Sequence, residues 1–265
     1  FRRIPDLIRE HAQARPTRAA LVQDDTTLSY AELDALMDRV AASLQRDGLR
    51  AGDVIAICAH ATPLYAAVFL GALRAGVVVA PLAPSVTPDA FAGMLADAGA
   101  RWLFIDAAAH DALGATPASR CIALPDAMPG TPLAEWLLPA GATPAPADVG
   151  PEAPFNIIYS SGTTGAPKGI VQSHGMRWAH VARGAGYGYG PDGVTLLATP
   201  LYSNTTLVVF FPTLGFGGSV VLMAKFDAAR YLALAQAHRM THTMLVPVQY
   251  QRLMAQPGFD AHDLS

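Results

Sequence analysis

An α/β fold is predicted by three features of the chain. Short apolar runs alternate with segments of helical spacing along most of its length. Those runs are nearly continuous rather than polar at every second residue, as expected when helices cover both faces of a mostly parallel sheet. Glycines and prolines fall where this alternation needs helix ends and strand starts. Hydrophobic residues make up 52% of 265 and charged residues 15%, which is ample for a large buried core.

Residues 4–13 (IPDLIREHAQ) have helical spacing and read as a lead-in helix. Ala20-Leu21-Val22, the turn at Asp24-Asp25 and Thr27-Leu28 predict a small hairpin. Ser29 with Glu32 makes a capping box for a helix that carries Leu33, Leu36, Met37, Val40 and Leu44 on one face and stops at Gly48. A strand at 54–58, a helix at 63–75 ended by Gly76 and a strand at 77–82 follow. Thr87-Pro88 places a cap and an N1 proline at the start of a helix that closes at Gly99. Strands at 102–105 and 122–124 complete the first half.

The segment 125–154 breaks the rhythm, with seven prolines between Pro129 and Pro154 and a short helix at 133–138. It divides the chain into subregions 1–124 and 155–265. The second half resumes with strands at 155–160, 195–199, 219–223 and 242–246. Helices are predicted from Ser173, near 205–212, at 227–238 and at 248–255.

Net charge is −3 with no basic block, which argues against nucleic acid as a partner. The two cysteines, Cys58 and Cys121, each sit in an apolar strand-like run and read as buried thiols, with no disulfide framework and no metal-ligand spacing. A reducing cytoplasm fits them. Residues 194–224 carry no charge, but Pro200, Pro212, Gly215, Gly217 and Gly218 divide them into pieces too short to cross a bilayer. No integral membrane segment is expected.

The most informative stretch is 159–169, YSSGTTGAPKG. Gly162, Gly165 and Gly169 permit positive φ and close approach of a ligand to the backbone. Ser160, Ser161, Thr163 and Thr164 offer hydroxyl donors, and Lys168 adds a point charge on a flexible stem. Such a loop cradles phosphate. A Walker A loop is excluded, because two residues rather than four separate Gly162 from Gly165, and Lys168 is followed by glycine. The segment reads as strand, loop, helix.

This stretch, with Ser173-His174 after it, resembles the signature of adenylate-forming enzymes, most nearly acyl- and aryl-coenzyme A ligases. The resemblance implies two layered, mostly parallel sheets with helices between and around them. It implies that a carboxylate attacks the α-phosphorus of ATP, releases pyrophosphate and leaves an acyl-AMP, whose acyl group then passes to coenzyme A. ATP, Mg2+ and coenzyme A are the implied cofactors, and a small carboxylic acid the partner. Oligomeric state is left open. Ser160, Ser161, Gly162, Thr163, Thr164, Gly165 and Lys168 would hold the β- and γ-phosphates, with Lys168, Thr163 and Thr164 in catalytic roles.

By the same resemblance, residues 198–206 (ATPLYSNTT) line the acid pocket through Tyr202, Ser203 and Asn204, and Val246-Pro247 form another wall. Most such ligases have histidine at the position of Ser203, so the shape of this acid site departs from the family pattern. Amino-acid-activating relatives place an aspartate here for the substrate ammonium. No acidic residue lies between Asp192 and Asp227, which favours an organic or fatty acid. His174, His180, His238 and His242 show no ligand-like grouping, and Trp178 and Tyr187 face either pocket or core. The family continues past Ser265 with adenine- and ribose-binding segments and a small lid domain. The chain is therefore expected to be the leading portion of a larger enzyme. Rival readings are an adenylating enzyme that loads a carrier-protein thiol, a luciferase-like oxygenase, and a nucleotide-binding fragment without turnover.

Overall fold

The structure, a computed structural model, describes residues 1–114, 121–124, 130–160 and 167–264. Helix α1 (Ile4–Ala14) leads into strands β1 (Ala19–Gln23) and β2 (Thr26–Ser29), which pair as the expected antiparallel hairpin. Helix α2 (Tyr30–Arg46) starts at the reciprocal cap. Ser29 N–H donates to Glu32 Oε2 at 2.8 Å and Glu32 N–H to Ser29 Oγ at 3.3 Å. Leu33, Met37, Val40 and Leu44 on its inner face are fully buried.

Strand β3 (Val54–Cys58), helix α3 (Pro63–Arg74), strand β4 (Val78–Pro81), helix α4 (Pro88–Ala98) and strand β5 (Ala100–Ile105) follow the predicted alternation. Thr87 caps α4 by accepting from Ala90 N–H, and Gly99 closes it in the left-handed conformation. Sequence reading passed over α5 (Ala107–Leu113), which is capped by Asp106. Strands β6 (Cys121–Ala123) and β7 (Thr131–Pro132) and the short α6 (Leu133–Trp136) come next. Strands β8 (Pro154–Ser160) and β9 (Lys168–Ser173) then lead to α7 (His174–Arg183). The last stretch runs through β10 (Val194–Leu197), α8 (Asn204–Gly215), β11 (Ser219–Leu222), α9 (Ala228–Ala237), β12 (His242–Thr243) and α10 (Pro247–Met254).

The chain forms two compact units that interleave in sequence. The first comprises Phe1–Asp6, Asp34–His60 and Leu64–Trp178, the second Leu7–Leu33, Ala61–Pro63 and Ala179–Ser265. They are not the subregions 1–124 and 155–265. Strands from both sides of the proline-rich segment share one sheet, because β8 pairs with β4 through Asn156 and Val79.

The first unit holds a seven-stranded sheet in the order β7-β6-β5-β3-β4-β8-β9, parallel except for β9 against β8. Its core joins Ala56, Cys58, Val78, Ala80, Leu103 and Ile105 from the strands to Phe91, Met94 and Leu95 of α4. Cys58 is fully buried, and burial pushes its thiol up to about 12. Cys121 is only half-buried.

The second unit holds a five-stranded sheet in the order β12-β10-β11-β1-β2, parallel except for β2. Leu196, Val221, Tyr231, Leu232 and Leu253 form its core. Tyr30 is fully buried there, its hydroxyl 2.7 Å from the Gly218 carbonyl. Among the described residues no helix is long and apolar enough to cross a membrane.

Candidate active site

In the first unit, the segment predicted as strand–loop–helix has a strand on each side of residues 161–166. β8 and β9 form an antiparallel hairpin in which Ser160 pairs with Lys168 and Tyr159 with Gly169, and α7 begins only afterwards. Ser161, Gly162, Thr163, Thr164 and Gly165 lie outside the described residues. Ser160 and Lys168 therefore face each other as the last residue of one arm and the first of the other. Both are exposed. The Lys168 side chain packs into no core.

Gly169 departs from the expectation of positive φ, since it is a strand residue outside the left-handed set. What it supplies is room. A Cβ there would lie 3.0 Å from Ile157 Cγ2 and 3.2 Å from both Asp97 Oδ2 and Tyr159 Cζ.

The base of the hairpin is tied by Arg177 of α7, which is fully buried. Its Nε donates to Asn156 Oδ1 on β8 at 3.1 Å, and its terminal nitrogen donates to Gln172 Oε1 on β9. The guanidinium also sits over the Phe155 ring. Burial brings its pKa down to about 10. His174 packs edge-on against Phe155, ring centroids 4.8 Å apart. Burial, aided by the Arg3 charge, pushes its pKa down to about 4. It packs beside the hairpin and is held neutral.

In the second unit, the two segments assigned to the acid site meet. Thr206 Oγ1 lies 2.7 Å from Thr199 Oγ1, which in turn reaches the Met244 carbonyl at 3.5 Å. Gln249 donates to the Ala198 carbonyl at 3.1 Å and accepts from Val246 N–H at 3.1 Å. Ser203 is the N-cap of α8, with Tyr202 just before it and Asn204 at its first turn. Val246 is the N-cap of α10 and Pro247 opens that helix. The five predicted residues thus stand at two neighbouring helix starts.

A groove of about 450 Å³ in the same unit is lined by His180, Arg183, Gly184, Tyr187, Tyr189, Val208, Val209, Pro212, His242, Thr243 and Met244, and Tyr202, Ser203, Asn204, Val246 and Pro247 are not among its lining residues. No acidic side chain lines it among the described residues. Tyr189 stacks on His242, rings 4.0 Å apart and 16° from parallel. His242 Nε2 lies 2.9 Å from the Tyr187 carbonyl, which can only accept, so that nitrogen carries the proton. Burial pushes Tyr189 up to about 12, so its hydroxyl stays protonated.

The groove depends on close helix packing. A Cβ on Gly184 would lie 2.9 Å from Phe216 Cε2, and one on Gly215 would lie 2.8 Å from Val181 Cγ1. Tyr187, which the sequence left between pocket and core, is 73% exposed and lines the groove. Sequence reasoning missed Arg183, Tyr189 and Val208 because the groove is assembled from three separate stretches of chain.

Comparison with known proteins bears on both parts. The AMP-binding enzyme family matches residues 8–265. Indoleacetate–CoA ligase from Aromatoleum aromaticum is 31% identical over 99% of this chain and 53% of its own length. Feruloyl-CoA synthase from an Amycolatopsis species is 30% identical over 96% of this chain and 50% of its own. Among solved structures, the N-terminal domain of FACL13 from Mycobacterium tuberculosis superposes with a TM-score of 0.89 at 25% identity, over 100% of this chain and 68% of that one. The chain spans about half the length of the curated relatives it matches. With the family match extending over nearly all of it, the chain belongs to the AMP-binding enzymes.

Proposed function

We propose that this chain supplies the triphosphate cradle and the acid site of an ATP-dependent carboxylate–coenzyme A ligase. The observation that carries this reading is the hairpin register, in which Ser160 and Lys168 bracket a loop of hydroxyl and glycine residues. Joining a carboxylate to the α-phosphorus brings two anions together, so the protein's task is charge neutralisation and alignment. Lys168 supplies a mobile positive charge for the β- and γ-phosphates. Ser160, Ser161, Thr163 and Thr164 supply hydroxyl donors, and Gly162 and Gly165 admit the phosphates to the backbone. A magnesium ion travelling with the triphosphate would take an oxygen ligand from Thr163 or Thr164.

The acid occupies the groove of the second unit. Its neutral and basic lining suits an organic acid and offers nothing to an ammonium group, as the absence of acidic residues in 193–226 also implies. Tyr187, Tyr189 and His242 favour a flat ring over an extended alkyl chain. This agrees with relatives whose names specify indoleacetate and ferulate. The acceptor is coenzyme A, as in those relatives, and the setting is the cytoplasm.

Titration of the chain with MgATP tests the nucleotide half of the reading. Saturable binding that pyrophosphate displaces is expected. Binding that pyrophosphate leaves untouched, or none at all, would overturn the assignment of the loop.

A further inference from the structure

We propose that Asp97 and Tyr159 act as a clamp that positions Lys168 for the triphosphate, an inference that rests on the nucleotide reading above. The clamp lies at the loop end of the hairpin, one residue before Ser160. Tyr159 donates its hydroxyl to Asp97 Oδ2 of α4 at 2.6 Å, and the Met94 carbonyl is 3.1 Å from the Tyr159 hydroxyl oxygen. Burial first, and then the neighbouring carboxylate, pushes the phenol pKa upward. Tyr159 pairs in register with Gly169, which leaves the space where ring and carboxylate meet.

The hairpin needs such a tie at this end. β9 is the edge strand of its sheet, and Lys168, Gly169, Ile170 and Val171 are exposed. Arg177 fixes only the opposite end, through Asn156 and Gln172. With its side chain exposed, Lys168 owes its place to backbone pairing with Ser160. That pairing follows directly after the clamped Tyr159–Gly169 pair. Asp97 is therefore a positioning residue acting through Tyr159.

The sign of its effect separates positioning from simple charge. Removing a carboxylate near an anion site should tighten ATP binding if only electrostatics counts. Loss of the clamp should weaken it. The measurement is MgATP affinity by calorimetric titration for the chain and its Asp97→Ala, Asp97→Asn, Tyr159→Phe and Lys168→Ala forms. The Asp97→Ala/Lys168→Ala double variant completes the cycle, and urea unfolding is followed in parallel.

Asp97→Ala and Tyr159→Phe should each weaken binding about fivefold, the scale of one net hydrogen bond. Asp97→Asn, which keeps an acceptor, should bind nearly as the unsubstituted chain does. In the Lys168→Ala background the Asp97→Ala penalty should vanish, because positioned and positioning groups are coupled. Unchanged or tighter binding by Asp97→Ala, or an equal penalty in both backgrounds, would overturn the clamp and leave the nucleotide site standing. Where Asp97→Ala does not fold, Tyr159→Phe carries the same test, since it removes a single oxygen. Failure of the unsubstituted chain to bind MgATP would remove the nucleotide reading and this inference with it.

Discussion

Acidification from pH 7.5 to pH 5 should destabilise the folded chain by about 2 kcal/mol through His174 alone. The ring is 2% exposed and packs edge-on against Phe155. Its Nε2 has no hydrogen-bond partner among the described residues. Burial, with a smaller contribution from Arg3, lowers its pKa from 6.5 to about 4. Between those values the unfolded chain binds the proton and the folded chain does not, so stability falls as pH drops through 6.5 and levels off near 4. The limiting loss is about 3 kcal/mol, from 1.36 kcal/mol per unit, and most of the first 2 arrives by pH 5. Urea unfolding at several pH values measures it directly, with His174→Gln as the reference that keeps a polar side chain but cannot titrate. Carboxylates titrating in the same range act equally on both proteins, so the difference between the two profiles isolates the histidine. Parallel profiles would refute the reasoning and show the ring to be solvated or paired in its protonated form.

Three further outcomes follow from the site and its supports. Lys168→Ala should weaken MgATP binding tenfold or more, about 1.4 kcal/mol, while the urea midpoint stays put because the side chain is exposed. Gly215→Ala should destabilise by about 1–3 kcal/mol, since the new methyl would sit 2.8 Å from Val181 Cγ1 in a packed helix contact; thermal unfolding reads this. In the full-length enzyme Ser203→His should change which acid supports pyrophosphate exchange, and an identical acid profile would take Ser203 out of the acid site.

Much of the fold was legible because local chemistry and global pattern agree. The Ser29–Glu32 capping box, the Thr87 cap and the left-handed Gly99 all form as the residues imply. The continuous apolar runs at β3, β4 and β5 are the buried parallel strands of the first sheet. β9 was missed because an edge strand lacks such a run. Only Ile170 and Val171 mark it, and both are exposed. α5 was missed because its seven residues are too few for a helical period to stand out.

The candidate site divides the same way. The stretch proposed to hold phosphate is contiguous in sequence, whereas the clamp joins residues 62 apart and the groove joins α7, α8 and β12. Arg177 could not have been found from its own position. A fully buried arginine makes sense only once Asn156, Gln172 and Phe155 surround it.

Carboxylate-dependent exchange of labelled pyrophosphate into ATP tests the central claim most directly, because it needs the triphosphate cradle and the acid site to work in one reaction. The full-length enzyme should show exchange that requires an added organic acid, is greater with an aryl acid such as cinnamate than with hexadecanoate, and falls in its Lys168→Ala form. ATP binding by the full-length enzyme without exchange for any acid would contradict the claim of adenylation.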